Sequence, residues 1–179
     1  MMIRVCAILL AAALCTVDGA RPRADDAFQK VDCADVPISF SGTGYEVSCK
    51  VKAVTASNTV GRKLQQLLVL DADHSGILVI EDVRYLGGYV PRTALIDLFK
   101  GFYKQTLDDW QDDGEREGFH AADYTGRDDG GNKAECIAFE RDVLMTAPGL
   151  VRFLIGFGCS ANGRQHVWDT LKLITAAGG

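Results

Sequence analysis

The sequence predicts an α+β domain, in which an antiparallel sheet packs on one long helix and a short C-terminal helix closes the chain. Three observations lead to this prediction. Residues 91–113 place apolar side chains three and four positions apart, which is the spacing of one helix face. Several other segments alternate apolar and polar residues, as half-buried strands do. Near the C-terminus, helical spacing returns in Val167, Trp168, Leu171 and Ile174.

The N-terminal residues have the features of a signal peptide. Arg4 is followed by an apolar run over residues 5–15, which is too short to span a bilayer. Val17 and Gly19 fit the small-residue rule for cleavage after position 19. A lipoprotein anchored on Cys15 is the alternative, but the bulky Leu14 precedes that cysteine and disfavours it. We therefore expect a signal peptide over residues 1–19, a flexible lead-in over 20–32 and a single domain over 33–179.

Charge and composition narrow the class of protein. The chain has 19 Lys and Arg against 24 Asp and Glu, giving a net charge of −5. Because its basic residues form no sequence cluster, the pattern argues against binding to nucleic acid. No second apolar run is long enough for a membrane span. These features favour a secreted or periplasmic protein.

Four cysteines remain beyond the predicted signal peptide: Cys33, Cys49, Cys136 and Cys159. An even number in an exported chain indicates disulfides, and four cysteines allow three pairings. A hairpin between residues 36–40 and 45–53 would bring Cys33 near Cys49.

The second pairing rests on a strand register. A four-residue turn at 146–149 would place Cys136 directly opposite Cys159, within disulfide reach. A register one residue shorter would instead match Val143 with Val151 and lose this opposition. We expect the Cys136–Cys159 pairing.

The remaining elements follow in chain order. Strands are expected over residues 36–40, 45–53, 77–83, 118–125, 134–145 and 150–159, with a further apolar run at 64–70. The long helix lies between residues 77–83 and residues 118–125, and two features of its sequence weaken it. Gly101 weakens it, and four aspartates crowd its C-terminal end, where the helix dipole disfavours negative charge. Packing must therefore hold it. Ser160 or Asn162 is expected to cap the short helix.

Residues 71–82 resemble the calcium loop of an EF-hand. Asp71, Asp73 and Ser75 stand where that loop places oxygen ligands, and Gly76 stands at its sharp turn. Asp82 replaces the closing glutamate, and the residues that follow the turn have a strand pattern. The resemblance implies a calcium site formed by Asp71, Asp73, Ser75 and Asp82. A hairpin with an acidic turn is the favoured interpretation of the same residues.

The three histidines, His74, His120 and His166, show no metal-ligand spacing. His120 and His166 are expected to be surface or half-buried residues rather than catalytic bases. Ser160 follows Cys159, yet a cap and a disulfide explain this pair better than a nucleophile does. The chain has no glycine-rich phosphate loop.

The order of early hairpin, middle hairpin, long helix that starts at a proline, late long hairpin and Trp-containing terminal helix resembles the Mog1/PsbP-like family. This resemblance implies a non-catalytic binding or assembly module. We therefore expect an exported, disulfide-stabilised module with a protein partner, no catalytic residues and no cofactor. A calcium-binding protein and a small extracytoplasmic hydrolase that uses His120 or His166 are the alternatives.

Overall fold

A computed structural model of the chain describes residues 27–54, 62–73, 75–85, 108–127, 132–143 and 150–177. These residues form ten strands and one α-helix. The strands are β1 Gln29–Val31, β2 Ile38–Phe40, β3 Glu46–Val54, β4 Arg62–Leu70, β5 Gly76–Tyr85, β6 Asp108–Arg116, β7 Phe119–Arg127, β8 Lys133–Val143, β9 Leu150–Ser160 and β10 Ile174–Ala176; the helix is α1, Arg164–Leu171. A short 3-10 turn, Cys33–Asp35, lies between β1 and β2.

Eight of the strands form one antiparallel sheet in the order β1-β3-β4-β5-β9-β8-β7-β6. Two meanders, β3-β4-β5 and β6-β7-β8-β9, are joined through the β5–β9 pair. The remaining strands, β2 and β10, form a separate two-stranded sheet. Strands β1 and β6 are therefore the two edges of the large sheet.

The predicted α+β class is wrong. The described residues are mostly strand, and their one α-helix has 8 residues. The C-terminal part of the predicted long helix is strand β6, and residues 91–107 lie outside the described residues. A helix C-terminus disfavours these aspartates, whereas an edge strand tolerates them. Trp110 stacks on Tyr124 of β7, with ring centroids 5.8 Å apart.

The N-terminal strands also differ from the expected hairpin. Residues 29–31, expected in the lead-in, form β1 and pair with residues 49–51 of β3. Strand β2 pairs with β10 instead of β3. The Cys33–Asp35 turn separates β1 from β2, and it carries Cys33 beside β3. The expected proximity of Cys33 and Cys49 therefore arises through β1.

One face of the large sheet packs against α1 and the small sheet. Trp168 is 1% exposed, and the Arg116 guanidinium lies 4.5 Å from the centre of its ring. Burial of an aromatic side chain of this size is a dominant contribution to core stability. Further buried residues on this face are Val36, Ile38, Cys49, Leu67, Val69, Ile77, Val79, Phe119, Ala121, Ile137, Phe139, Leu154, Val167, Leu171 and Ile174.

A second cluster lies on the opposite face of the sheet. It contains the buried residues Leu78, Ala122, Tyr124, Cys136, Ala138 and Phe157. Between the two clusters the backbones of β5 and β9 approach closely at Gly156. A β-carbon there would collide with the Leu78 carbonyl and the Phe139 ring, so only glycine fits.

Both expected disulfides are present. Cys33 and Cys49 are bonded with their Cα atoms 5.1 Å apart, and Cys136 and Cys159 with theirs 4.1 Å apart. The β8–β9 register pairs Cys136 with Cys159, which confirms the longer of the two registers considered from the sequence. One bond ties the turn before β2 to β3, and the other ties β8 to β9.

The C-terminal helix is present, but its predicted cap is wrong. Gly163 occupies the N-cap position, with φ 93°. Glycine has no side chain that could accept a hydrogen bond from the first backbone amides of the helix. The Ser160 hydroxyl instead accepts a hydrogen bond from the Asn162 amide, which closes the turn before the helix. In the part of the chain that the structure describes, no helix is long and apolar enough to cross a membrane.

Candidate functional site

The β4–β5 turn meets helix α1 through a carboxylate–imidazole pair. Asp71 lies directly after β4, and its Oδ2 is 2.8 Å from His166 Nε2. Its other oxygen, Oδ1, accepts hydrogen bonds from the backbone amides of Asp73 and Ser75, each at 2.9 Å. This is the local bonding by which aspartate shapes a tight turn. Both oxygens of Asp71 therefore have protein partners.

Beside this pair lies a small cavity with a volume of about 10 Å³. Its lining includes Tyr45, Ser75, His166, Thr170 and the half-buried Cys159. The Tyr45 hydroxyl is 3.5 Å from the Thr170 hydroxyl, which in turn donates to the His166 carbonyl. Small-molecule sites usually have volumes of about 300–1,000 Å³, so this cavity is below the size of an ordinary ligand pocket.

The geometry bears on each residue of the expected calcium site. Residues 71–75 connect two strands and are followed by β5, whereas an EF-hand loop is followed by a helix. Both oxygens of Asp71 already have protein partners, Asp73 is exposed, and Ser75 is buried. The side chain of Asp82 lies outside the described residues. Among the residues described, no three His, Cys, Asp or Glu side chains gather as a metal site. The turn is the favoured hairpin, and calcium binding stays a prediction.

A second polar cluster is buried on the face of the large sheet that α1 covers. Glu81 on β5 is 0% exposed, and Gln65 on β4 donates its amide to Glu81 Oε2 at 2.7 Å. Arg152 on β9 donates from Nε to Glu81 Oε1 at 2.7 Å, and its Nη2 contacts the same oxygen. A further bond runs from Arg152 Nη1 to the Ala177 carbonyl. Both oxygens of the Glu81 carboxylate therefore have partners inside the fold, and the Arg152 guanidinium offsets its charge.

The third cluster pairs the other described histidine with a carboxylate. His120 on β7 and Glu140 on β8 are directly opposite in register, with Nδ1 and Oε1 3.2 Å apart. Glu140 is 7% exposed, while the His120 side chain is 25% exposed. Both His120 and His166 are half-buried, which agrees with the predicted surface or half-buried position. Position 74 lies outside the described residues.

One arginine on the helix-covered face has a shifted pKa. Burial lowers the pKa of the Arg141 guanidinium from its usual value, because desolvation disfavours the charged form. The group lies 4.6 Å from the centre of the Phe119 ring, whose π-face attracts a cation.

The sequence singled out Asp71 and Ser75 in one loop and His166 elsewhere, and the fold brings the three together around one turn. It did not predict the His166–Asp71 or His120–Glu140 pairs, nor the Glu81–Arg152 pair. These partners are 95, 20 and 71 positions apart in the chain. The β7–β8 register could have indicated the His120–Glu140 pair, whereas the other two pairs depend on tertiary packing.

Comparison with known proteins adds no relative. No family model matches the chain, and neither a curated protein nor a solved structure is significantly similar to it.

Proposed function

We propose that the chain is an exported, disulfide-stabilised binding or assembly module that performs no reaction of its own. The observation that carries this proposal is the pair of disulfides, which engage all four cysteines among the described residues. Disulfides form and persist in oxidising compartments, outside the cytosol. The charged start and short apolar run of residues 1–19 support the same localisation.

The use of the ionisable groups supports a binding role over a catalytic one. Glu81 and Arg152 form an ion pair with each other. The Asp71 carboxylate accepts hydrogen bonds from two backbone amides and contacts His166. A general base needs an available atom within hydrogen-bond reach of a substrate proton. These carboxylates already serve to tie β5 to β9 and the β4–β5 turn to α1.

Export and thiol content together test the proposal. The full chain is expressed in a host with a secretory pathway, and the recovered protein is analysed by mass spectrometry with and without reduction. We expect a secreted chain that begins after residue 19, with no free thiol until reduction exposes four. The proposal would be overturned if the chain stayed inside the cell with residues 1–19 still attached, or if the four cysteines could be alkylated without reduction.

A further inference from the structure

Three lysines form a strip at the β1 edge of the large sheet. Lys30 on β1 lies directly opposite Lys50 on β3, and Lys52 follows two residues along the same strand. Alternation along a strand places all three on the same face. Opposed residues are about 5 Å apart at Cα, and residues two apart on a strand about 7 Å. We call Lys30, Lys50 and Lys52 the lysine strip.

The lysine strip is not neutralised within the described part of the protein. None of its three lysines takes part in an ion pair there, whereas Lys172 contacts Glu117 and Asp169, and Arg127 contacts Asp108. On the strip's own face of β3, the one carboxylate is Glu46, four residues or about 13 Å from Lys50. Strand β4 presents an amide and an apolar side chain, Gln66 and Leu64, opposite Lys50 and Lys52.

Fold stability does not explain this arrangement. Like charges directly opposite in an antiparallel pair destabilise the sheet. A lysine on an edge strand deters pairing with another chain, and this accounts for Lys30 on β1. It does not account for Lys50, because β1 covers β3 at that position. Lys52 lies one residue beyond the part of β3 that β1 covers, and it is half-buried.

We infer that the lysine strip binds a linear sulfated polysaccharide, of the kind that an exported protein meets outside the cell. The inference rests on the proposed export. Three lysines whose Cα atoms lie about 5–7 Å apart on one face offer point charges to successive anionic groups of an extended polymer. The net charge of the chain is −5, so attraction to a polyanion must come from a local patch.

The surroundings of the lysine strip favour this occupant over two others. A membrane surface or an acidic peptide gains binding energy from apolar side chains beside the charges. Among the described residues, the one large exposed apolar side chain is Val47, and alternation places it on the opposite face of β3. Leu64, next to Lys52, is 6% exposed. The lysine strip therefore offers charge without an apolar anchor.

The test measures the affinity of the full secreted chain for heparin as a function of salt. The test variant changes Lys30, Lys50 and Lys52 to Gln. The control variant changes Lys63, Lys133 and Lys172 to Gln, which alters net charge equally and lies off the lysine strip. For the wild type we expect log affinity to fall with log salt at a slope of about −2 to −3, because three cations displace counterions. The test variant should bind at least about tenfold more weakly, and the control within about twofold.

Melting of the variants and binding to other polyanions complete the test. The strip variant should melt no lower than the wild type, because removal of opposed like charges cannot weaken the sheet. Equal losses in both variants, or retention of poly-glutamate or anionic vesicles but not of heparin, would overturn the inference. Failure of export would overturn the proposed function alone, because refolded chain with both disulfides can still be tested on heparin.

Discussion

The buried pair of Glu81 and Arg152 gives the sharpest prediction about stability. Arg152→Met keeps most of the aliphatic stem and removes the guanidinium, which leaves the carboxylate of Glu81, 0% exposed, with the Gln65 amide alone. Loss of one partner of a buried pair costs about 3–5 kcal/mol, because an uncompensated charge remains. The Arg152 side chain is 12% exposed, so water reaches this end of the pair and the lower figure applies. We expect a loss of about 3 kcal/mol, or roughly 6–12 °C in Tm.

Two further variants separate this cause from a general loss of packing. The double variant Glu81→Met with Arg152→Met should recover most of the stability, because no charge is then buried. Its remaining deficit of about 1–2 kcal/mol comes from the Gln65 amide and the Ala177 carbonyl, which lose their partners. Arg127→Met removes the same group from the exposed pair with Asp108 and should cost less than about 1 kcal/mol.

Urea unfolding of oxidised protein, followed by circular dichroism, measures these effects as changes in midpoint at constant slope. Two results would refute the reasoning. In the first, Arg152→Met loses no more stability than Arg127→Met. In the second, the double variant is as unstable as the single one, which would show that Arg152 acts through shape and not through charge.

Three more predictions concern the cross-links, the core and the turn. Cys136→Ser with Cys159→Ser should lower the free energy of unfolding by about 3 kcal/mol, since the loop spans 23 residues, and a urea midpoint equal to that of the wild type would contradict this. Gly156→Ala should cost at least about 1–3 kcal/mol, because its β-carbon meets a backbone carbonyl that cannot rotate away; an unchanged urea midpoint would count against the close approach of β5 and β9. Excess calcium should leave the Tm where chelator leaves it, because both Asp71 oxygens have partners; a rise that Asp71→Asn abolishes would establish the calcium alternative.

Local patterns were sufficient where the expected connection between two strands was short. Residues 134–145 and 150–159 were expected as strands joined by a four-residue turn, and counting from that expected turn gave the observed opposition of Cys136 and Cys159. Strand β3 was likewise visible from its alternation, and α1 from the spacing of Val167, Trp168 and Leu171. In each of these segments, local pattern and tertiary environment favour the same structure.

The segment ending at residue 113 was misread because apolar spacing alone does not distinguish what the side chains pack against. Trp110 fits a helix face with Leu107, but it also fits a strand that stacks it on Tyr124. The aspartates were the contrary signal, since a helix C-terminus disfavours them and an edge strand is protected by them. Two irregularities in β6, with φ of 55° at Asp109 and 68° at Gly114, further protect that edge.

Of the three polar clusters, the His120–Glu140 pair had a signal in the strand register, whereas the other two depend on packing between distant segments. The carboxylates and histidines that attract attention in the sequence, such as Asp71 and His166, are joined to each other by packing between distant segments. In that pair both Asp71 oxygens have protein partners, and the contact ties the β4–β5 turn to α1. The lysines of the strip differ, because none of them takes part in an ion pair among the described residues. Lys50 and Lys52 are two positions apart on β3, and the pairing of β1 with β3 brings Lys30 beside them. Because the lysine strip carries charge that the described residues do not neutralise, the binding experiment on the strip tests the proposed function more directly than a histidine variant does.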